Sequence, residues 1–239
     1  GLLHPLEVCE QALKRAEDPT NEIGLASIEG FIRQVLGWRE FVRHVYRTGM
    51  PGLRQSNGLE AHRPLPGFYW SGDTPMRCLN QCVEQVSRSG HAHHIQRLMV
   101  LGNFALIAGV DPVELNDWFL ATFVDALDWV VTPNVMGMSQ FSDLGSFTSK
   151  PYAASGKYID RMSDYCSSCV YDVKSVSAEN SCPFNSLYWS FIDRHQERWT
   201  TNHRMAMITS GWAKRDMKVK SQILERADDV LGLLSQGML

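Results

Sequence analysis

Five of the six cysteines in this 239-residue chain fall in two short zones. Cys78 and Cys82 form the first. Cys166, Cys169 and Cys182 form the second, spaced C-x2-C-x12-C with Pro183 directly after. Three thiolates on one loop can converge on one metal centre, and a fourth sulfur from the first zone would close it. Four cysteine ligands suit structural zinc or an iron–sulfur cluster, and spacing alone does not choose. A disulfide framework is the weaker reading for six cysteines in a chain with so long a core. Cys78 and Cys82 lie one helical turn apart on the same face, so either serves as the fourth ligand on geometry. The one not used, together with Cys9, reads as a small buried hydrophobe.

Charge is the second source of chemistry. Residues 31–100 hold nine arginines against four acids and five of the eight histidines, whereas 101–150 hold one lysine against six acids. On a chain of net charge −3 this is a local basic face suited to phosphate, not a bulk polyanion binder. Arg43, Arg47 and Arg54, with Lys150 and Lys157, are expected on the rim of one cleft. His93 and His94 are adjacent, so on a helix they point about 100° apart and cannot share one role.

The elements that must position these groups are helical. Phe31, Ile32, Val35, Leu36, Trp38, Phe41, Val42 and Val45 recur at three- and four-residue spacing and predict a helix over 28–48. Residues 49–72, rich in Gly, Pro and Asn, read as an irregular excursion. Thr74-Pro75 predicts a helix start running to about Ser89. An apolar helix is expected over 91–108, ending at Gly109, and Asp111-Pro112 opens another to about Phe119. Further helices are expected over 120–130, 184–199, 202–210 and 213–236. Pro133 to Ser163 reads as a long functional loop, ahead of the cysteine loop at 163–184. The expected fold class is all-α, as one domain over 1–239. At 44% hydrophobic and 21% charged the composition is that of an ordinary globule, and no apolar run approaches the ~20 residues of a membrane span. The start, Gly1-Leu2-Leu3-His4-Pro5, has no initiator Met or signal pattern and reads as the middle of a longer chain.

Three segments in order carry a family resemblance. Gly37-Trp38-Arg39-Glu40-Phe41 resembles the WREF segment of the flavin-binding helical domain of DNA photolyases and cryptochromes. His93-His94-Ile95-Gln96-Arg97 resembles the His-His-x-x-Arg segment of (6-4) photolyases, and Asp125-Ala126-Leu127-Asp128-Trp129 resembles the acidic stretch lining the flavin. With the four cysteines, the chain is similar to the iron–sulfur bacterial cryptochromes and prokaryotic (6-4) photolyases from residue 28 to the end. The resemblance implies a C-terminal helical domain that binds FAD and a [4Fe–4S] cluster, with Cys78, Cys166, Cys169 and Cys182 as ligands. An antenna chromophore would sit on an N-terminal domain outside this chain.

Roles follow residue by residue from that resemblance. His94 takes the catalytic place beside a (6-4) lesion, where a near-neutral pKa suits proton transfer. The second active-site histidine of eukaryotic members is Leu98 here, which removes a two-histidine relay. Arg97 and Asp125 stand as the pair beside the flavin ring, with Trp38, Arg39 and Asn134 around the cofactor. Trp118 and Trp70, with Phe119 beside them, are candidates for electron transfer to the flavin, although a Trp at helical spacing equally fits a core. Gln34, His93, Tyr152, Tyr158, Lys150 and Lys157 are candidates for contact with damaged DNA, which photolyases flip from the duplex. The expected activity is light-driven reversal of (6-4) photoproducts by a cytoplasmic, monomeric protein acting on UV-damaged DNA. A photoreceptor without repair is the alternative within the family. A primase-like iron–sulfur nucleic-acid-binding module is the alternative outside it, with no reason to carry His94, Arg97 and Asp125 together.

Overall fold

The computed structural model describes residues 3–239, and among them every regular element is helical. In chain order the α-helices are α1 (Pro5–Glu17), α2 (Leu25–Arg33), α3 (Arg39–Gly49), α4 (Phe68–Ser71), α5 (Arg77–Ser89) and α6 (Asn103–Ala108). They continue as α7 (Pro112–Thr122), α8 (Asp128–Thr132), α9 (Gly156–Met162), α10 (Pro183–Arg194), α11 (Ala206–Ala213) and α12 (Met217–Ser235). No helix among the described residues is long and apolar enough to cross a membrane.

The expected helix over 28–48 is one rod over α2 and α3, joined by a π-helical turn at Gln34–Trp38. Two more π-helical turns occur, at Gln96–Gly102 leading into α6 and at Pro133–Ser139 continuing α8. Pro133 lacks an N–H, so the i→i−4 ladder cannot pass through it and the helix widens there. The side-chain amide of Asn134 then donates to the carbonyl of Val130 at 2.7 Å. The second and third π turns pack together at Gly102, where a side chain would collide with Ser139 Oγ.

Several expected boundaries are corrected. The helix after Thr74-Pro75 begins at Arg77, because Thr74 Oγ1 takes the Met76 N–H at 3.2 Å and holds a turn ahead of it. His93 lies outside its helix and caps it: its N–H donates to Gln96 Oε1 at 2.8 Å and its Nδ1 accepts the Ile95 N–H at 3.2 Å. The expected helix 120–130 is interrupted, since α7 ends at Thr122 and a turn precedes α8. Pro133–Ser163 is only partly loop, being helical at 133–139 and in α9. Asp111 does cap α7, accepting the Val113 N–H at 2.8 Å, and Pro183 opens α10.

The main core gathers Leu79, Leu101, Phe104, Trp118, Phe184, Phe191 and Val230, with α10 packed on α6 and α12. A second small core of Val42, Leu98, Met99, Met138 and Phe147 ties α3 to the second and third π turns. It forms the floor on which the candidate site is built.

Candidate functional site: a cleft and a cysteine cavity

A cleft of about 330 Å³ opens above the small core. Trp38, His94, Arg97, Asp125 and Asn134 all line it, although they lie up to 96 residues apart in sequence. Each π turn contributes to its wall: the first ends on Trp38, the second carries Arg97 and Leu98, and the third carries Asn134, Val135, Met138 and Ser139. A π turn inserts one extra residue per turn and turns side chains outward from the usual helical register, which is why such turns gather at sites. Leu98, Phe119, Val130, Val131 and Val135 make the rest of the wall apolar.

Arg97 is the fixed charge of the cleft. Its Nη1 and Nη2 donate to the two carboxylate oxygens of Asp125 at 3.1 and 2.9 Å, and its Nε donates to the Ala92 carbonyl at 2.8 Å. The guanidinium also lies over the Phe123 ring, 4.2 Å from its centroid. The turn that interrupts 120–130 is what brings Asp125 to this position. His94 stands at the open mouth. Surrounding protein, then the charges of His93 and Arg97, hold its pKa below the ordinary histidine value. Asn134 spends its amide N–H on Val130, leaving its carbonyl oxygen as the uncommitted polar atom.

Other expected site residues fall elsewhere. Arg39 is absent from the cleft wall, because its guanidinium stacks over Trp129 at 4.8 Å. Asp128, three residues after Asp125, also turns away and locks α3 to α8 by accepting the Tyr46 and Thr132 hydroxyls at 2.7 and 2.5 Å. Burial raises its pKa, but these hydrogen bonds and Arg54 more than offset that and leave it below the usual carboxylate value. Arg54 is held by Asp117 at 2.9 Å and Asp128 at 3.5 Å, which corrects its expected place on a phosphate-contacting rim. Arg43, Arg47, Gln34, Tyr152 and Lys157 are exposed, and Lys150 is half-buried. His93 shares a separate 180 Å³ groove with Tyr158 behind the His94 helix.

Trp118 is buried, 5.0 Å from the ring of cleft-lining Phe119, and its Nε1 donates to the Tyr69 carbonyl at 2.9 Å. Trp70 is 60% exposed and makes no close ring contact, so its link to Trp118 runs only through the adjacent Tyr69. A stacked pair that sequence reading missed, Trp189 and Trp212 at 5.4 Å, lies under the Arg215 guanidinium. The sequence carries no local signal for it, since the two residues lie 23 positions apart.

The second feature is a narrow hollow lined by Cys78, Cys166, Cys169 and Cys182 with Tyr165 and Tyr171. All four cysteines are free thiols. Cys82 is off the hollow, fully buried, with Sγ 3.8 Å from Tyr165 Oη. Burial first, then the neighbouring sulfurs, pushes the Cys182 thiol up to about 12 and Cys78 well above the ordinary value. For Cys166, burial and then Asp160 and Cys169 raise the pKa to about 11. Gly156 forms the opposite wall, where a Cβ would stand 2.8 Å from Cys182 Sγ. Arg226, 7% exposed and with its Nε unpartnered, acts on Tyr171 at the edge of the hollow. Among the described residues no three His, Cys, Asp or Glu side chains approach closely enough to hold a single metal ion. The two features are joined through Gln96, which donates to Tyr165 Oη at 2.9 Å while capping the helix that carries His94.

A helical chain with an apolar cleft, one anchored arginine and a four-thiol hollow has the make-up of a cofactor-binding helical domain. No family model matches the chain. It is 48% identical over 229 residues to a protein of Agrobacterium fabrum named (6-4) photolyase, covering 95% of this chain and 44% of that protein. It is 29% identical over 136 residues to an uncharacterized protein of Acanthamoeba polyphaga mimivirus, covering 57% of this chain and all of that one. Over nearly its whole length the chain is similar to the C-terminal part of its Agrobacterium relative. It spans less than half of that relative's length.

Proposed function

We propose that this chain is the FAD-binding part of a light-driven enzyme that reverses (6-4) photoproducts in DNA. The observation that carries the reading is the convergence of Trp38, His94, Arg97, Asp125 and Asn134 on one cleft. Homology to a protein named (6-4) photolyase supports it. The cleft volume lies at the low end for small-molecule sites, which suits a flat ring system with the rest of the cofactor extending out. The donor set fits a flavin: an apolar wall, a guanidinium fixed by two carboxylate bonds, and one free amide oxygen. FAD held by Trp38, Arg97 and Asn134 would supply light-driven one-electron donation to a bound lesion.

The residues of the chain do the rest. Arg97 keeps positive potential on the wall without moving, since Asp125 and the Ala92 carbonyl fix its plane. Leu98, Phe119 and the valines exclude water and strengthen that potential. His94, held neutral by its lowered pKa, gains proton affinity when a DNA phosphate docks at the mouth. It then takes up a proton from solvent, passes it to the hydroxyl of the lesion's 5′ pyrimidine and recovers it as the bases are restored.

The four-thiol hollow is read as a [4Fe–4S] site with Cys78, Cys166, Cys169 and Cys182 as ligands. A cluster spreads its thiolates further apart than one ion does, in keeping with four sulfurs on one hollow and no single-ion group. The Gly156 cradle leaves room beside Cys182 Sγ that a cluster could fill. The test is absorption and repair together. The complete protein should show flavin bands and an iron–sulfur shoulder, and should restore a (6-4) oligonucleotide only under blue light. Flavin bands without light-dependent restoration would instead indicate a photoreceptor.

A further inference from the structure

A cavity of about 270 Å³, sharing no lining residue with the cleft, opens where residues 57–63 meet the turn at Gly109–Val110 and the end of α10. Arg63, Arg194, His62 and His195 line it, against one acid, Glu60. Glu60 is taken by Arg198 at 2.6 Å. The acids next in sequence are also committed: Asp111 to the α7 cap, and Asp193 to the Trp212 indole N–H at 2.7 Å. Among the described residues neither Arg63 nor Arg194 has a carboxylate partner. Arg194 donates to the Ile107 carbonyl at 3.2 Å, and burial followed by the charge of Arg63 lowers its pKa.

His195 is the decisive group. It is 7% exposed, lodged between Phe191 and Trp199, and its ring makes no hydrogen bond to the protein although it lines the cavity. Burial, then Arg194 and Arg198, push its pKa down to about 4, so at neutral pH it is an uncharged ring with one N–H to give. The backbone presents this set rigidly: Arg63 N–H donates to the Gly109 carbonyl at 3.0 Å and Asp111 N–H donates to the Arg63 carbonyl at 2.8 Å. Gly109, at φ +78°, has no side chain to crowd the Arg194 guanidinium. Two guanidiniums without a carboxylate partner and a buried N–H are the donor set of an oxyanion site.

We propose that this cavity binds a phosphate group, held by Arg63 and Arg194 with the His195 N–H as third donor. The site shares no lining residue with the cleft and does not depend on the light-driven reading. Its phosphate comes either from a small nucleotide or from a DNA backbone.

Histidine-selective 15N NMR on the purified protein at pH 7 and constant ionic strength, titrated with inorganic phosphate, tests it. The expected result is saturable movement of the His195 signals, with affinity at least tenfold weaker in Arg63→Gln. The Arg63 side chain has no carboxylate partner to lose, so this variant remains informative if Arg194→Gln does not fold. Titration with adenosine monophosphate and with undamaged duplex DNA then separates the two sources, since only the true donor moves the same signals at lower concentration. Absence of saturable His195 movement with phosphate, or equal affinity in Arg63→Gln, overturns the proposal.

Discussion

The cleft and the cysteine hollow are neighbours built on opposite principles. In the cleft the charged groups already answer each other: Arg97 and Asp125 form a closed bidentate pair, and the wall stands on its own small core. In the hollow the four lining thiols have no charged partner among the described residues. Four cysteines line one hollow, and burial raises the thiol pKa of Cys78, Cys166 and Cys182. The first site is preorganised by protein alone and should tolerate single losses. With the proposed cluster the second would be complete only once metal is bound, so metal binding there would be part of folding.

That contrast predicts a large difference in mutational cost. Cys166→Ser should abolish soluble folded protein, because the cluster would close a loop of ~100 residues between Cys78 and Cys182. Cys82→Ala should keep its iron and lose about 1 kcal/mol in a denaturant melt, as for other small buried groups. A folded, iron-replete Cys166→Ser protein would remove the contrast. Gly156→Ala comes next: its Cβ would press on Cys182 Sγ at 2.8 Å and Val173 Cγ2 at 3.1 Å, costing about 1–3 kcal/mol. Iron-to-protein ratio and melting midpoint should fall together; a drop in melting alone would place Gly156 outside the metal site.

In the cleft, Asp125→Asn should cost at most about 1 kcal/mol of stability, since the pair is partly exposed. Flavin retention should suffer more, as the Arg97 plane is released, and equilibrium dialysis of FAD would register it. The smallest effect is one of pH. His94 has its folded pKa below the unfolded value of ~6.5, so the unfolded chain takes up the proton first. The His94 contribution is therefore full above pH ~6.5 and is lost as pH falls from there through the folded pKa. An NMR titration should give a midpoint below that of a free histidine, and a midpoint at or above it would contradict the electrostatics described for the cleft.

Legibility in the sequence followed the same division. The convergence of the loop cysteines on one hollow was readable because their spacing is local, and Asp111-Pro112 and Cys182-Pro183 announced their helices through cap chemistry. Spacing could not choose between Cys78 and Cys82, because both share one helix face, and only the family resemblance pointed to Cys78, which lines the hollow while Cys82 lies off it against Tyr165. The π turns were invisible too, since one inserted residue shifts the apolar register without erasing it. A 120–130 helix looked sound by pattern, yet Phe123 leaves the helix and delivers Asp125 to Arg97. Basic composition said nothing of who is paired: Arg54 is spent on two aspartates, while Arg63 and Arg194, 131 residues apart, meet without one.

The most direct measurement is light-driven repair by the complete FAD-loaded protein and its His94→Ala variant, on a duplex carrying one (6-4) photoproduct. His94 lies at the cleft mouth and makes no contact that holds Arg97, so the variant should keep its flavin spectrum and its affinity for damaged DNA. Its repair rate should fall by about a hundredfold or more, the usual worth of a positioned proton donor. Repair by His94→Ala at the unmodified rate, or no repair by the unmodified protein under blue light, would contradict the account.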